Sequence, residues 1–137
     1  MMHIFLDTNI VIDLLSKRPP FFKDAQILFS SAKDKNLVFY ISSLTFANAN
    51  YVISKGNSIN EIRTILRNLR LLLKIVHLTD EIINLALNDF TFPDFEDGLQ
   101  YYSALEANCD YIITRDLKDF KNSKLPVMTA KSFIISK

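Results

Sequence analysis

The chain has 137 residues, 49% of them hydrophobic, which is the size of one compact domain with enough apolar material for a continuous core. A formal charge of +1 argues against bulk nucleic-acid binding through a strongly basic domain, so any basic surface must be local. Two glycines and four prolines, spread out, leave no flexible linker, low-complexity tract or internal repeat, and a single domain over residues 1–137 is expected.

In chain order, Ile4 to Leu6 forms a first short apolar strand, followed at once by Asp7, Thr8 and Asn9. The pattern then predicts a helix over Thr8 to Ser16, carrying Ile10, Ile12, Leu14 and Leu15, which stops before Lys17, Arg18 and the Pro19-Pro20 pair. Phe21 to Asp34 continues with Phe22, Ala25, Leu28, Phe29 and Ala32 at helical spacing. Leu37 to Ile41 is the second strand, and Ser43 can cap a helix running through Ser54, with Gly56 after it.

Ser58 and Glu61 make a capping box for a helix whose apolar face is Ile59, Ile62, Ile65, Leu66 and Leu69. Arg63, Arg67, Arg70 and Lys74 form a basic stripe opposite that face, either an RNA rail or, more commonly, a solvated surface. Ile75 to Leu78 is a third strand, Thr79 to Asn88 a short helix, and "PDFEDGLQYYSALEANC" a longer one. Tyr111 to Thr114 and Pro126 to Met128 complete the strands, and Ala130 to Ser136 reads as a last helix. Near-continuous apolar strands alternating with helices predict an α/β fold whose parallel sheet is covered on both faces.

The apolar runs are too short to span a bilayer and the N-terminus lacks a basic region followed by an apolar stretch and cleavage site, so no membrane association and a cytoplasmic location are expected. The lone Cys109 precedes an apolar strand and reads as buried and inert in a reducing compartment. Phe90, Phe92, Phe95, Tyr101 and Tyr102 can stack on bases, but core packing or a dimer surface is the better reading.

In such a sheet the ligand crevice lies outside the carboxyl ends of the strands. Asp7 follows the first strand and Asp116 follows the fourth, while Asp97 and Asp94 open the helix that leads into the fourth. Each acid has a bland reading as a helix or turn cap favoured by the helix dipole. Together they would repel one another unless protonated or joined by a cation, and magnesium or manganese suits carboxylate, water and phosphate oxygens. His3 and His77 lie in or beside strands and there is no second cysteine, which disfavours zinc.

"FLDTN", "SSLTFANANYVI", "DFEDGLQYYSALEANCDYIITRDLKDF" and "LPVMTAKSF" resemble, in this order and over essentially the whole chain, the PIN domain family, and within it small proteins of the VapC toxin type. The resemblance implies a three-layer α/β/α sandwich with a five-stranded parallel sheet. It also implies a ribonuclease dependent on Mg²⁺ or Mn²⁺, leaving a 5′-phosphate and a 3′-hydroxyl. Carried over by motif, the metal-holding acids are Asp7, Asp97 and Asp116, with Thr114 as the hydroxyl beside them and Asn9 as a polar neighbour of the first acid.

Asn48 stands where the family usually has a glutamate, which removes a negative charge and a base; Asp94, Glu96 or Asp119 could compensate, or Asn48 is simply a polar residue on a helix face. Lys17, Arg18 and Arg115 are the candidate RNA contacts, being nearest the catalytic edge. A cognate antitoxin and a homodimer are the further partners implied. The rival reading is a PIN fold with a weakened site, kept for binding RNA or protein. A phosphatase of the haloacid dehalogenase type would need an aspartate where Asn9 stands, and a receiver domain would need paired early acids and a late lysine, neither of which is evident.

Overall fold

The computed structural model describes residues 1–136; the expected domain runs on to Lys137, which lies outside the described residues. Five parallel strands, β1 (Met2–Leu6), β2 (Leu37–Ser42), β3 (Lys74–Val76), β4 (Tyr111–Ile113) and β5 (Val127–Met128), form one sheet in the order β3-β2-β1-β4-β5. The earliest strand is therefore the central one. Ile4 pairs with Phe39 on one side and Tyr111 on the other.

Helices α1 (Thr8–Leu15), α2 (Phe22–Ser30), α3 (Ser43–Ile53), α4 (Ile59–Leu71) and α7 (Ala130–Ser136) belong to one face. Helices α5 (Asp80–Leu87) and α6 (Phe95–Glu106) cover the other, with a short 3₁₀ turn at Leu117–Phe120. Because successive side chains of a strand alternate faces, Ile4 and Leu6 enter the first core with Leu28, Phe39, Leu69 and Phe133, while Phe5 enters the second with Ile82, Leu99, Ile112 and Phe120. The result is the three-layer α/β/α sandwich with a five-stranded parallel sheet.

Several element ends depart from the sequence reading, each for a local reason. Helix α2 stops at Ser30 instead of reaching Asp34, and the chain turns through Asn36, held at φ 55°, to enter β2. β2 runs on to Ser42, so Ser42 rather than Ser43 precedes α3. Its hydroxyl makes no cap bond because it is turned toward Gln100. β3 starts at Lys74 and ends at Val76, because Tyr40 to Ser42 is the segment it pairs with.

In α4 both bonds of the Ser58–Glu61 capping box are present, while Ile59 is 72% exposed and lies outside the buried face. Gly98 lets α6 approach α5 closely: a Cβ there would sit 3.4 Å from the Ala86 Cβ, at ordinary contact distance.

The buried aromatics are core residues. Phe92 stacks on Tyr101 at 4.7 Å between ring centroids and meets Phe120 edge-on, whereas Phe90 and Phe95 remain on the surface. Cys109 is buried, and burial with Asp110 nearby pushes its thiol up to about 12, so it is unreactive at neutral pH. Among the described residues no helix is long and apolar enough to cross a membrane.

Candidate active site at the carboxyl edge of the sheet

The sheet order reverses direction at β1, since the chain proceeds from β1 to β2 on one side and returns to β4 on the other. This switch point opens a crevice beyond the carboxyl ends of β1 and β4. Asp7 leaves β1 into it, and Thr114 and Asp116 leave β4 into it.

Asp7 is 7% exposed and serves both as helix cap and as the centre of a polar network. Its Oδ1 accepts from the backbone N–H of Thr8 at 2.8 Å and from Gln100 Nε2 at 3.3 Å. Its Oδ2 accepts from the Thr114 hydroxyl at 2.8 Å and from Asn9 Nδ2 at 3.4 Å. Burial raises its pKa above the ordinary carboxylate value, the bonds from Thr114, Thr8 and Gln100 oppose that rise, and the charge of Asp116 adds to it.

Asn9 ties the two strand ends together. Its amide reaches Thr114 Oγ1 at 3.3 Å and Asp116 Oδ2 at 3.2 Å, and its Oδ1 accepts from the Arg115 N–H at 3.4 Å. Thr114 Oγ1 in turn accepts from the Asp116 N–H at 3.1 Å. Asp116 itself is exposed.

Helix α6 supplies the remaining wall. Asp94 caps it through the Glu96 N–H, and Asp97 sits half-buried in the first turn. The Asp97 carboxyl is pushed up to about 7, chiefly by desolvation, then by the charges of Asp94, Asp7, Asp119 and Asp116. Asp7, Asp94, Glu96 and Asp97 line one groove of about 260 Å³ with Arg18 as its single cation. Asp116 stands beside that groove, joined to it through Asn9.

Asn48 Nδ2 donates to Glu96 Oε1 at 3.2 Å. Of Asp94, Glu96 and Asp119, the acids expected from the sequence to make up for Asn48, Glu96 is the one hydrogen-bonded to it among the described residues. Asp119 lines a separate depression with Asp94, Asp97, Lys118 and Lys121.

The buried network beneath Asp7 was invisible in the sequence. Gln100, 2% exposed, donates to Asp7 Oδ1, to Thr8 Oγ1 at 2.9 Å and to Thr45 Oγ1 at 3.3 Å, and its Oε1 accepts from the Ser42 hydroxyl at 2.6 Å. Ionised Asp7 can only accept, so the NH₂ end of the amide must face it, and Ser42 faces the oxygen. One signal was available: Gln100 lies three residues after Asp97, on the same face of α6.

Asp13 was missed as well. It is a 1% exposed acid on α1 whose Oδ2 stands 2.8 Å from Arg115 Nε and whose Oδ1 stands 3.9 Å from Arg18 Nε. Arg115 also lies over the Phe21 ring, 4.0 Å from its centroid. Two of the three cations expected to meet RNA are therefore gathered by one buried carboxylate. Lys17 is exposed at φ 50°, and Arg63, Arg67, Arg70 and Lys74 are exposed along α4 and the start of β3.

Do these residues suit a divalent ion? Among the described residues, the ion pairs within 4 Å all involve Asp13, so Asp7, Asp97 and Asp116 have oxygen donors, high mutual repulsion and no cationic partner. That donor set fits a hard cation such as Mg²⁺ or Mn²⁺. Among the same residues no three acidic, histidine or cysteine side chains stand close enough to ligate one ion together, so water or phosphate oxygens would have to supply much of its shell.

A PIN domain family profile matches residues 3–118. Among solved structures, the chain is similar to VapBC2 from Rickettsia felis bound to a DNA fragment of its promoter, at 21% identity, 93% of this chain, 97% of that one and a TM-score of 0.65. It is similar also to VapBC-1 from nontypeable Haemophilus influenzae (18% identity, 95% and 99% covered, TM-score 0.71). A third is Mycobacterium tuberculosis VapC20, a toxin that cleaves the sarcin-ricin loop (16% identity, 80% and 86% covered, TM-score 0.62). No curated protein matches the sequence.

Proposed function

The chain belongs to the PIN domain family, and from that premise we propose that it is a divalent-metal-dependent ribonuclease, the toxin of a toxin–antitoxin pair. One observation carries this reading: three aspartates from three distant segments face one crevice at the switch point, and among the described residues none of them is ion-paired with a lysine or arginine. Mutual repulsion of that kind is a standing cost of the fold, and it is relieved by an ion the fold is built to receive.

Asp7, Asp97 and Asp116 would hold Mg²⁺ or Mn²⁺, with Glu96 supplying the charge that Asn48 lacks. Such an ion supplies Lewis acidity, lowering the pKa of water toward neutrality and offsetting charge on the phosphate under attack. The chain's own part is to prepare the acids. Thr114 and Gln100 fix the two oxygens of Asp7, and Asn9 sets Asp116 relative to it. Arg18, in the groove wall, and the exposed Lys17 would meet the RNA backbone; Arg115 would do so only on leaving Asp13.

A cognate antitoxin and a second copy of the chain are the partners proposed, on the strength of the VapBC complexes among the similar structures. Asn48, an uncharged amide where the resemblance calls for a glutamate, favours a second reading, a site weakened as a nuclease and retained for binding. The test is cleavage of single-stranded and structured RNA by the antitoxin-free protein in Mg²⁺ or Mn²⁺. Cleavage abolished by chelator and by the Asp7→Asn/Asp97→Asn double variant supports the nuclease; an inactive wild type that Asn48→Glu restores supports the binding module.

A further inference from the structure

Asp13 is the buried carboxylate that the proposed reaction does not use. Its side chain is 1% exposed, Arg115 Nε lies 2.8 Å from Oδ2, and Arg18 Nε lies 3.9 Å from Oδ1. Neither Asp13 Oδ1 nor Arg115 Nε completes a well-directed hydrogen bond, so charge and the stacking of Arg115 on Phe21 hold the pair together. A buried ion pair of this kind gains little stability over an apolar pair of the same volume. Stability is thus a poor explanation for its presence.

Its location is a better one. Arg115 immediately precedes Asp116, and its N–H donates to Asn9 Oδ1, the residue whose amide reaches Asp7, Thr114 and Asp116. The guanidinium is therefore rooted one residue from the Asp116 carboxylate, which has no cationic partner within 4 Å among the described residues, and carboxylates are its preferred bidentate ligands. Arg18 lines the same groove as Asp7 and Asp97. Without a competing acid, either arginine would settle on the aspartates and cancel the charge a metal ion requires.

We propose that Asp13 is a positioning residue that holds the guanidinium of Arg115, and less tightly that of Arg18, off Asp7, Asp97 and Asp116, so that these three carboxylates stay unpaired with the arginines beside them. The inference rests on the reading of that groove as a metal site. It differs from a simple clamp on Asp116, in which Arg115 would itself be needed for metal binding.

The experiment is titration of Mn²⁺ into the antitoxin-free full chain, followed by water-proton relaxation, with urea denaturation confirming that each variant is folded. Asp13→Asn should bind Mn²⁺ at least about tenfold more weakly than wild type, and Asp13→Asn/Arg115→Met should return to within about threefold of it. Arg115→Met alone should bind as tightly as wild type, and it decides the matter if Asp13→Asn does not fold. Asp13→Asn binding like wild type, a double variant as weak as Asp13→Asn, or weakened binding by Arg115→Met overturns the inference while leaving the metal site standing. A wild-type protein that binds no Mn²⁺ overturns the metal reading and the inference with it.

Discussion

The stretch from Asp7 through α1 carries two buried aspartates six positions apart that are satisfied in opposite ways. Asp7, at the start, receives four hydrogen bonds, all from neutral donors: a backbone N–H, a threonine and two amides. Asp13, in the middle of the helix, has two arginines within 4 Å and one oxygen with no hydrogen bond at all. Neutral donors fix a carboxylate in space without cancelling its charge, whereas a guanidinium cancels charge whether or not the geometry is good. The first arrangement keeps a negative charge available for a ligand, and the second uses it up.

The same substitution at the two positions should therefore act with opposite sign. Asp13→Asn leaves Arg115, 25% exposed, without its counter-ion and should lower stability in urea denaturation, but by less than the loss of about 3–5 kcal/mol for a fully buried pair, because burial also disfavours the Asp13 charge. Asp7→Asn, measured without metal, removes a charge that burial already disfavours and should leave the fold equally stable or more stable by up to about 1 kcal/mol, as changes at strained functional sites do. Equal losses at both positions would break the comparison.

Next in size is the network under Asp7. Gln100→Leu keeps the side-chain volume but removes the amide that holds Oδ1, and it should weaken Mn²⁺ affinity about 10–100-fold, the usual effect of losing a partner of a metal ligand. Unchanged affinity would mean that Thr114 and the Thr8 N–H orient Asp7 unaided.

A pH series sharpens the contrast further. The carboxyls of Asp7, Asp13 and Asp97 are all raised in the fold, Asp97 to about 7. The folded chain thus binds more protons than the unfolded one from about pH 4 upward, and stability must fall as pH rises toward 7, then level off. Glu61 and Asp89, which are lowered, act only below their ordinary values and leave this window alone. In chelator, Tm should be higher at pH 5 than at pH 8, and saturating Mn²⁺ should flatten the difference; a Tm rising with pH would contradict the assignment of the shifts.

The smallest effect is expected at Gly98, which has room for a methyl group at contact distance. Gly98→Ala should stabilise α6 by up to about 1 kcal/mol, since glycine is a poor residue for a helix interior. A loss would show that the Ala86 approach is tighter than it looks.

How much of this was legible beforehand follows from sequence distance. The five strands and their parallel arrangement could be read from apolar runs, and the placing of Asp7 and Asp116 at one edge of the sheet from the rule that the crevice lies outside the carboxyl ends of the strands. Helix ends were less legible, because Ser42 and Asn36 answer to tertiary partners and to chain direction, not to local propensity. Gln100 and Asp13 escaped notice for a related reason. An amide or an acid on a helix gains meaning only from its partner, and those partners lie 93 and 102 positions away in the sequence, at Asp7 and Arg115. Arg115 likewise reads as a free cation until Asp13 is seen beneath it.

The central place of β1 has a consequence for the timing of synthesis. Asp7 comes off the ribosome well before the hydroxyl that fixes it, which is 107 residues further on, at Thr114, with Asp116 beyond that. No early fragment of the chain can assemble the site, because β4 must emerge and slot in beside β1 before the acids meet. A chain in which β4 has not yet joined the sheet therefore holds Asp7 without the Thr114 hydroxyl and without Asp116, and the site belongs to the completed sheet alone.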